Sequence, residues 1–336
     1  MTQNRSMTIE ATYRIVTPMF CSGADQSTAE LRIPSFKGAL RFWWRAAEWA
    51  RLCAANHGDV PRAVAALRTE EASLFGSRDA GQSRIVLSTQ WAPLDDSKLV
   101  RNWPNSSSVG STYMGFGITE SGRPGTRNHK PHRIGVPCAR EFQLACRVRP
   151  AAKRVDTASV ARAMRLLGLL GGLGSRSRRG FGSLAITSID GQACLCESFE
   201  EYRKQIGDAL TSEARNDTFP PFTAFSSQAR IANVCKAGDV FQAHDRLGER
   251  YREFRGQLGP YRGATKKPLG LPLKDVDEQR RRASPLLMHV HPIGQEFVGS
   301  VLFLPGKFHP EIAEGDSLPF FKIASDWMKE LKGFAL

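Results

Sequence analysis

Residues 156–189 read DTASVARAMRLLGLLGGLGSRSRRGFGSLAITSI, and this stretch decides the fold. Asp156 is expected to cap a helix in which Val160, Met164 and Leu167 mark the buried stripe and Arg162 and Arg165 the exposed one. Ser183 to Ile189 then returns as a strand. The helix, turn and strand complete a pattern that begins near the N-terminus. Thr8 to Val16 alternates, with Ile9, Ala11, Tyr13 and Ile15 on one face and Thr8, Glu10, Thr12 and Arg14 on the other. Phe36, Leu40, Trp43, Ala47 and Ala50 recur at helical spacing from a start near Ser35, and Pro61 to Phe75 suits a further short helix. Arg84 to Gln90 and Glu141 to Val148 read as strands. The order strand, helix, strand, strand, helix, strand over residues 8–190 predicts a ferredoxin-like (RRM-like) domain in an α+β protein.

A length of 336 residues with 41% hydrophobic side chains suggests two domains, placed at 1–190 and 191–336. Phe222 to Cys235 is strand-rich, and Asp239 should cap a helix carrying Val240, His244, Leu247, Tyr251, Phe254 and Leu258. Leu286–His291 and Phe297–Leu304 flank Pro292-Ile293-Gly294 as a hairpin, and Leu318 to Leu331 closes with a helix. A second, less complete ferredoxin-like domain is the expectation. Two basic segments interrupt this scheme. Residues 101–136 set Arg123, Arg127, Lys130 and Arg133 against Glu120 and are expected to order on binding. Residues 260–284 carry Lys266, Lys267 and Arg280 to Arg282 and are expected to be disordered.

Charge points to the class of partner. Lys and Arg number 47 against 33 Asp and Glu, leaving +14. Residues 1–190 hold 27 basic and 14 acidic side chains, whereas 191–336 hold 20 and 19, so the polyanion should meet the first half. Gly171 to Gly182 is the first candidate site, five glycines enclosing three arginines. Glycine permits positive φ and close approach of a phosphate chain to backbone amides, while Arg176, Arg178 and Arg179 supply forked donors. Gly172, Gly174, Ser175 and Ser177 complete that set. The segment lacks a G-x-x-x-x-G-K-[ST] signature, and it runs from helix to strand rather than from strand to helix. The second candidate is the start of the first long helix. There Lys37, Arg41 and Arg45 fall at i, i+4 and i+8 beside Ser35 and Gly38, a cationic stripe that costs stability near a helix N-terminus unless an anion neutralises it. The two devices are expected to converge into one cradle.

Other residue patterns carry less. Trp43 and Trp44 point in different directions, so they are not expected to fill the same core; one should be core, and for the other ordinary packing is favoured over stacking on a base or covering a partner. Seven cysteines form no C-x-x-C pair and read as reduced thiols, and His289 with His291 on one strand face lacks further ligands, so neither a metal nor a cofactor is implied. No apolar run of about 18 residues occurs, and the polar start lacks a signal-like core, giving a cytoplasmic expectation without membrane attachment. No H-E-x-x-H, G-x-S-x-G or D-x-[DN] pattern demands a catalytic centre, leaving Asp25 and His57 as the residues to test for RNA cleavage.

Residues 31–45, LRIPSFKGALRFWWR, together with 171–182 and RRASPLLMHV at 281–290, resemble the RAMP superfamily, the repeat-associated mysterious proteins of CRISPR systems. Within it the chain looks most like the first subunit of the type III-B Cmr complex. That resemblance implies a non-catalytic subunit that contacts the 3′ part of guide CRISPR RNA and the paired target RNA beside other RAMP subunits. It maps the family's basic helix start to Ser35, Lys37, Gly38, Arg41 and Arg45, and its glycine-rich loop to Gly171–Gly182. The alternative is a metal-independent endoribonuclease that processes CRISPR RNA, although no His stands early in the first helix. A protein-binding scaffold whose basic loops meet acidic partners is a third reading.

Overall fold

The computed structural model describes residues 7–25, 28–150, 157–210, 217–259 and 263–336, so Asp156 and the first residues of the 260–284 loop lie outside it. Strand β1 (Met7–Ile15) is central to a sheet because its alternating apolar residues face one way. It pairs antiparallel with β3 (Glu141–Val148), Met7 opposite Val148, and with β4 (Leu184–Ile189), Ile15 opposite Leu184. Adding β2 (Ile85–Gln90) and the short β5 (Gln192–Ala193) gives the order β2-β3-β1-β4-β5. Ile9, Ala11, Tyr13, Phe142, Leu144 and Cys146 are buried beneath α1 (Ile33–Ala55) and α4 (Thr157–Leu170). Buried Tyr13 satisfies its hydroxyl by donating to the Met164 carbonyl at 2.8 Å. Helix α2 (Val60–Phe75), capped by the Asp59 carboxylate, packs on α1.

The second sheet has the order β11-β6-β10-β9. It contains β6 (Arg230–Ala237), β9 (Leu286–Ile293), β10 (Glu296–Phe303) and the two-residue β11 (Phe334–Ala335). Helix α6 (Val240–Gln257) begins where Asp239 accepts from the amides of Phe241 and Gln242, and α7 (Lys322–Glu330) follows a 3-10 turn over Leu318–Phe321. The strand expected over 222–235 is therefore confined to its later part, and the closing helix is shorter than its periodicity suggests. Leu286, Met288 and Val290 join the core beneath α6, whereas Leu287 and Ile293 join the core beneath α4. The second sheet is thus buried on both faces and ties the two halves together. Helix α5 (Phe199–Asp208) packs on α4, where the Tyr202 hydroxyl donates to Leu169 at 2.6 Å.

Three expectations need correction. Trp43 and Trp44 are both buried in one core, because α1 is covered on two sides: Trp44 donates to Ser159 at 2.9 Å, while Trp43 lies 6.3 Å from the Phe225 ring. The 101–136 insertion forms α3 (Val109–Met114), which docks on α6. Its Gly110 sits so close that a Cβ there would lie 2.1 Å from the Asp245 carbonyl, and the Ser111 amide bonds the Asp245 carboxylate at 2.8 Å. The described part of 260–284 forms a hairpin of β7 (Leu271–Leu273) and β8 (Asp277–Arg282), anchored by burial of Leu271 and Leu273. Among the described residues no helix is long and apolar enough to cross a membrane.

Candidate nucleic-acid interface

Helix α1 starts with Pro34 in its first turn and no side-chain cap, and the Ser35 and Phe36 amides donate to the Arg32 carbonyl at 3.1 and 3.3 Å. Ser35, Ala39 and Phe42 follow one line along the helix and face the glycine-rich loop across a groove of about 510 Å³. Gly171–Ser175, Ser177 and Arg178 form the loop wall, and Phe20, Cys21, Ser22 and Arg133 close the side. Arg133 donates from Nη1 to Ser175 Oγ and from Nη2 to Ser22 Oγ at 3.3 Å, and its buried Nε has no partner among the described residues. The Ser35 hydroxyl lies 3.6 Å from Cys21 Sγ. Arg178 spans the floor: its Cζ is 4.8 Å from the Phe42 ring centroid and its Nη1 bonds the Ser284 carbonyl at 3.2 Å. Burial, with Arg282 and Arg179 nearby, pushes its pKa down to about 10, so it stays charged at neutral pH. The amides of Gly172, Gly174, Ser177 and Arg178 meet no backbone carbonyl among the described residues, so this wall offers donors as well as charge.

The loop's glycines serve the chain's own packing. Gly174 has φ 86° and Gly182 φ 60°, and a Cβ would meet the Phe20 carbonyl at 2.6 Å in the first and the Leu173 carbonyl at 2.1 Å in the second. The reading that glycine is there to admit a phosphate is replaced at these positions by close contact with the loop itself and with residue 20. Ser175 N–H donates to Phe20 at 2.8 Å and Gly182 N–H to Pro18 at 2.9 Å, so the loop path is fixed. The second sheet holds it too, because Met288 N–H donates to the Arg178 carbonyl at 3.0 Å. Buried His244 accepts from Ser111 at Nδ1 (2.8 Å) and donates from Nε2 to the Arg179 carbonyl (3.1 Å), a tautomer dictated by that carbonyl. Burial lowers the His244 pKa to about 3, so the ring is neutral.

The single cradle is divided. Arg178 reaches the helix-start side, but Arg176 and Arg179 line a separate groove of about 910 Å³ on the loop's other flank. Arg176, at φ 60°, donates to the Phe116 carbonyl at 2.8 Å, and Arg179 lies over the Tyr251 ring at 4.5 Å. The α1 stripe also turns elsewhere. Arg41 donates to Glu71, and Arg45 donates to both oxygens of the same carboxylate. Glu71 is buried, and although burial alone would raise its pKa, the two guanidiniums hold it below the ordinary value. Lys37 sits beside Arg41, its pKa lowered by burial and that neighbour, and Gly38 is exposed; neither lines the groove. The anion expected to neutralise this stripe is supplied by α2.

His57 stands just past the far end of α1, about 30 Å from Ser35 at helical rise, and Asp25 is exposed outside the groove. His289 and His291 are buried with Nε2 and Nδ1 3.2 Å apart, and His291 stacks on Tyr202 at 4.4 Å. The seven cysteines are free thiols, and among the described residues no group of three or more His, Cys, Asp or Glu is placed to hold a metal. Sequence reasoning missed Arg133, Ser22, Phe42 and His244 as site residues. Arg133 was visible only as insertion charge and Phe42 only as part of the 31–45 stretch, while Ser22 and His244 carried no motif.

Comparisons place this geometry among known proteins. The chain is 26% identical over 305 residues to the CRISPR system Cmr subunit Cmr1-1 of Pyrococcus furiosus, covering 84% of this chain and 83% of that one. It is 26% identical over 185 residues to Cmr1-2 of the same organism, covering 52% and 92%. Its fold matches the crystal structure of apo Cmr1 from Pyrococcus furiosus with TM-score 0.61 and 22% identity, over 91% of this chain and 90% of that chain. It also matches a chain in the cryo-EM structure of the type III-B Cmr-beta complex bound to cognate target RNA, with TM-score 0.57 and 10% identity over 97% and 100%. Residues 12–185 match the family described as the RAMP superfamily. The chain belongs to the RAMP superfamily.

Proposed function

We propose that the chain is a non-catalytic RNA-binding subunit of a type III-B CRISPR effector complex, contacting guide RNA and paired target RNA beside other RAMP subunits. The observation that carries this reading is the groove between α1 and the glycine-rich loop. Backbone amides, serine hydroxyls and the guanidiniums of Arg133 and Arg178 border one space of about 510 Å³ there. Phosphates need donors at fixed positions, and this wall is held rigid by the chain's own contacts. The likeness to Cmr subunits supports the assembly and the choice of RNA. In this reading residues 1–190 and 191–336 are two ferredoxin-like units, the second less complete because β11 has two residues. The strand orders β2-β3-β1-β4 and β11-β6-β10-β9, each with interleaved helices, support it.

The non-catalytic role is supported by His57, which stands past the far end of α1 from the groove, and by Asp25, which does not line it. Anisotropy titrations of single-stranded RNA provide the test. Arg133→Ala with Arg178→Ala should weaken binding at least about tenfold without loss of the folded state, and end-labelled RNA should stay full length. Unchanged affinity removes the groove from the site, and cleavage lost in Asp25→Ala or His57→Ala favours the nuclease reading.

A further inference from the structure

The groove on the other flank of the loop has a composition that the proposed RNA site does not use. Arg176, Arg178, Arg179, Arg255 and Arg282 line it, and no carboxylate does so among the described residues. Five arginines border one space, Arg282 donating to Thr223 Oγ1 at 3.0 Å and to the Lys307 carbonyl at 3.3 Å, and their like charges disfavour one another. Burial lowers the pKa of Arg176, and Arg179 lowers it further, while Arg282 and Arg179 add to the effect of burial at Arg178. Arg255 donates to the Tyr251 hydroxyl at 3.3 Å. Although burial alone would raise the Tyr251 pKa, Arg179 and Arg255 hold the phenol below its ordinary value, which marks a positive potential around it. Nη1 of Arg179 is buried with no hydrogen-bond partner among the described residues, so a donor is left over inside the cluster.

Aromatic surface accompanies the charge. Phe116, whose carbonyl is held by Arg176, is 74% exposed at the groove's edge, an unusual position for a phenylalanine. Tyr113 lines the same wall. Ser177 and Arg178 border both grooves, so the two spaces adjoin across the loop. The walls of the second groove come from the insertion, the loop, α6 and the β7–β8 hairpin, so it exists only because the two halves dock.

We infer that the second groove continues the RNA site: one single strand crosses the loop at Ser177–Arg178 and lays its next phosphates among Arg176, Arg179, Arg255 and Arg282, with a base on Phe116. This inference rests on the proposed RNA-binding role of the first groove. Guanidiniums that track a backbone, with an exposed ring for a base, are the arrangement that holds single strands without reading their sequence. A duplex offers no unstacked base to that ring.

Oligonucleotide length provides the test. Wild-type protein is titrated with single-stranded RNA from about 4 to about 16 nucleotides, alongside Arg176→Gln with Arg255→Gln and, separately, Phe116→Ser. Thermal melting checks that each variant folds, and Phe116→Ser, at an exposed site, keeps the test valid should the double variant be unstable. Wild-type affinity should keep rising once RNA outgrows the first groove. Both variants should bind the shortest RNA as wild type does but lose that gain, by about tenfold or more for the double variant. Its slope of log affinity against log salt should shrink by about 0.7 for each arginine removed from a phosphate. Full gain retained in both folded variants overturns the second groove and leaves the first standing. The same is concluded if tripolyphosphate competes for the second groove without affecting long RNA. Failure of wild-type protein to bind any RNA sinks the first groove's reading instead.

Discussion

Arg178 lies over the ring of Phe42, with its Cζ 4.8 Å from the ring centroid, and this contact joins the glycine-rich loop to the one face of α1 that looks into the groove. The pairing gives the guanidinium two duties: it holds the floor and it presents charge. Arg178→Ala should cost about 1–2 kcal/mol of stability through the lost stacking and hydrogen bond, and weaken RNA binding as well. Arg178→Lys should recover part of the binding but little of the stacking geometry. Denaturant titration and anisotropy on the same preparations separate the two effects, and full affinity in Arg178→Ala would remove it from the interface.

Arg41 and Arg45 serve Glu71. Replacing both by Met leaves a buried carboxylate without its donors, so stability should fall by about 1–3 kcal/mol, the arginines being part-exposed and partly screened. RNA affinity should stay within about twofold of wild type. A variant that melts normally yet loses RNA would return this stripe to the binding site.

Glycines that look alike in sequence should respond oppositely. Gly182→Ala forces a Cβ against the Leu173 carbonyl at positive φ and should destabilise by at least about 2 kcal/mol. Gly38 lies on the open side of α1, where a Cβ would meet nothing within 4 Å, so it should tolerate alanine and gain up to about 1 kcal/mol. Melting temperatures of the two variants moving in the same direction would contradict this account.

Acid should unfold the protein through three buried histidines. Burial lowers the pKa of His244 and of His289 to about 3, and that of His291 falls through burial and its neighbour His289. The unfolded chain therefore binds protons below pH about 6.5 that the folded chain refuses until far lower pH. Stability is complete above that point and should fall by up to about 1.4 kcal/mol per pH unit per histidine as pH drops toward 3. Urea unfolding at pH 8, 7, 6 and 5 measures the slope, and a flat profile would mean that the histidines are charged or exposed.

The regular elements were legible because each carries a period or a cap. Alternation in residues 8–16 and 141–148, and helical spacing from Phe36 and from Val240, foretell β1, β3, α1 and α6 to within a few residues. The placement of Ser35 along one groove with Gly172, Gly174, Ser175, Ser177 and Arg178 was likewise expected. The partner of each charge was not legible. Glu71 lies 26 residues beyond Arg45, and nothing in the spacing says that α2 folds back to deliver it. The insertion's docking on α6 depends on a Gly110–Gly248 backbone contact, which composition cannot announce. Position along one helix face was read as exposure to solvent, whereas tertiary neighbours decide it.

The hydrogen bond from Met288 to the Arg178 carbonyl sets an order in time. The loop leaves the ribosome more than a hundred residues before the strand that fastens it, so its early segments can fold while that anchor is still unmade. A nascent or truncated chain ending before β9 would hold the turn by its bonds to Pro18 and Phe20 but without the anchor on Arg178. The last of the loop's anchors would then arrive late in synthesis, coupled to the appearance of β9.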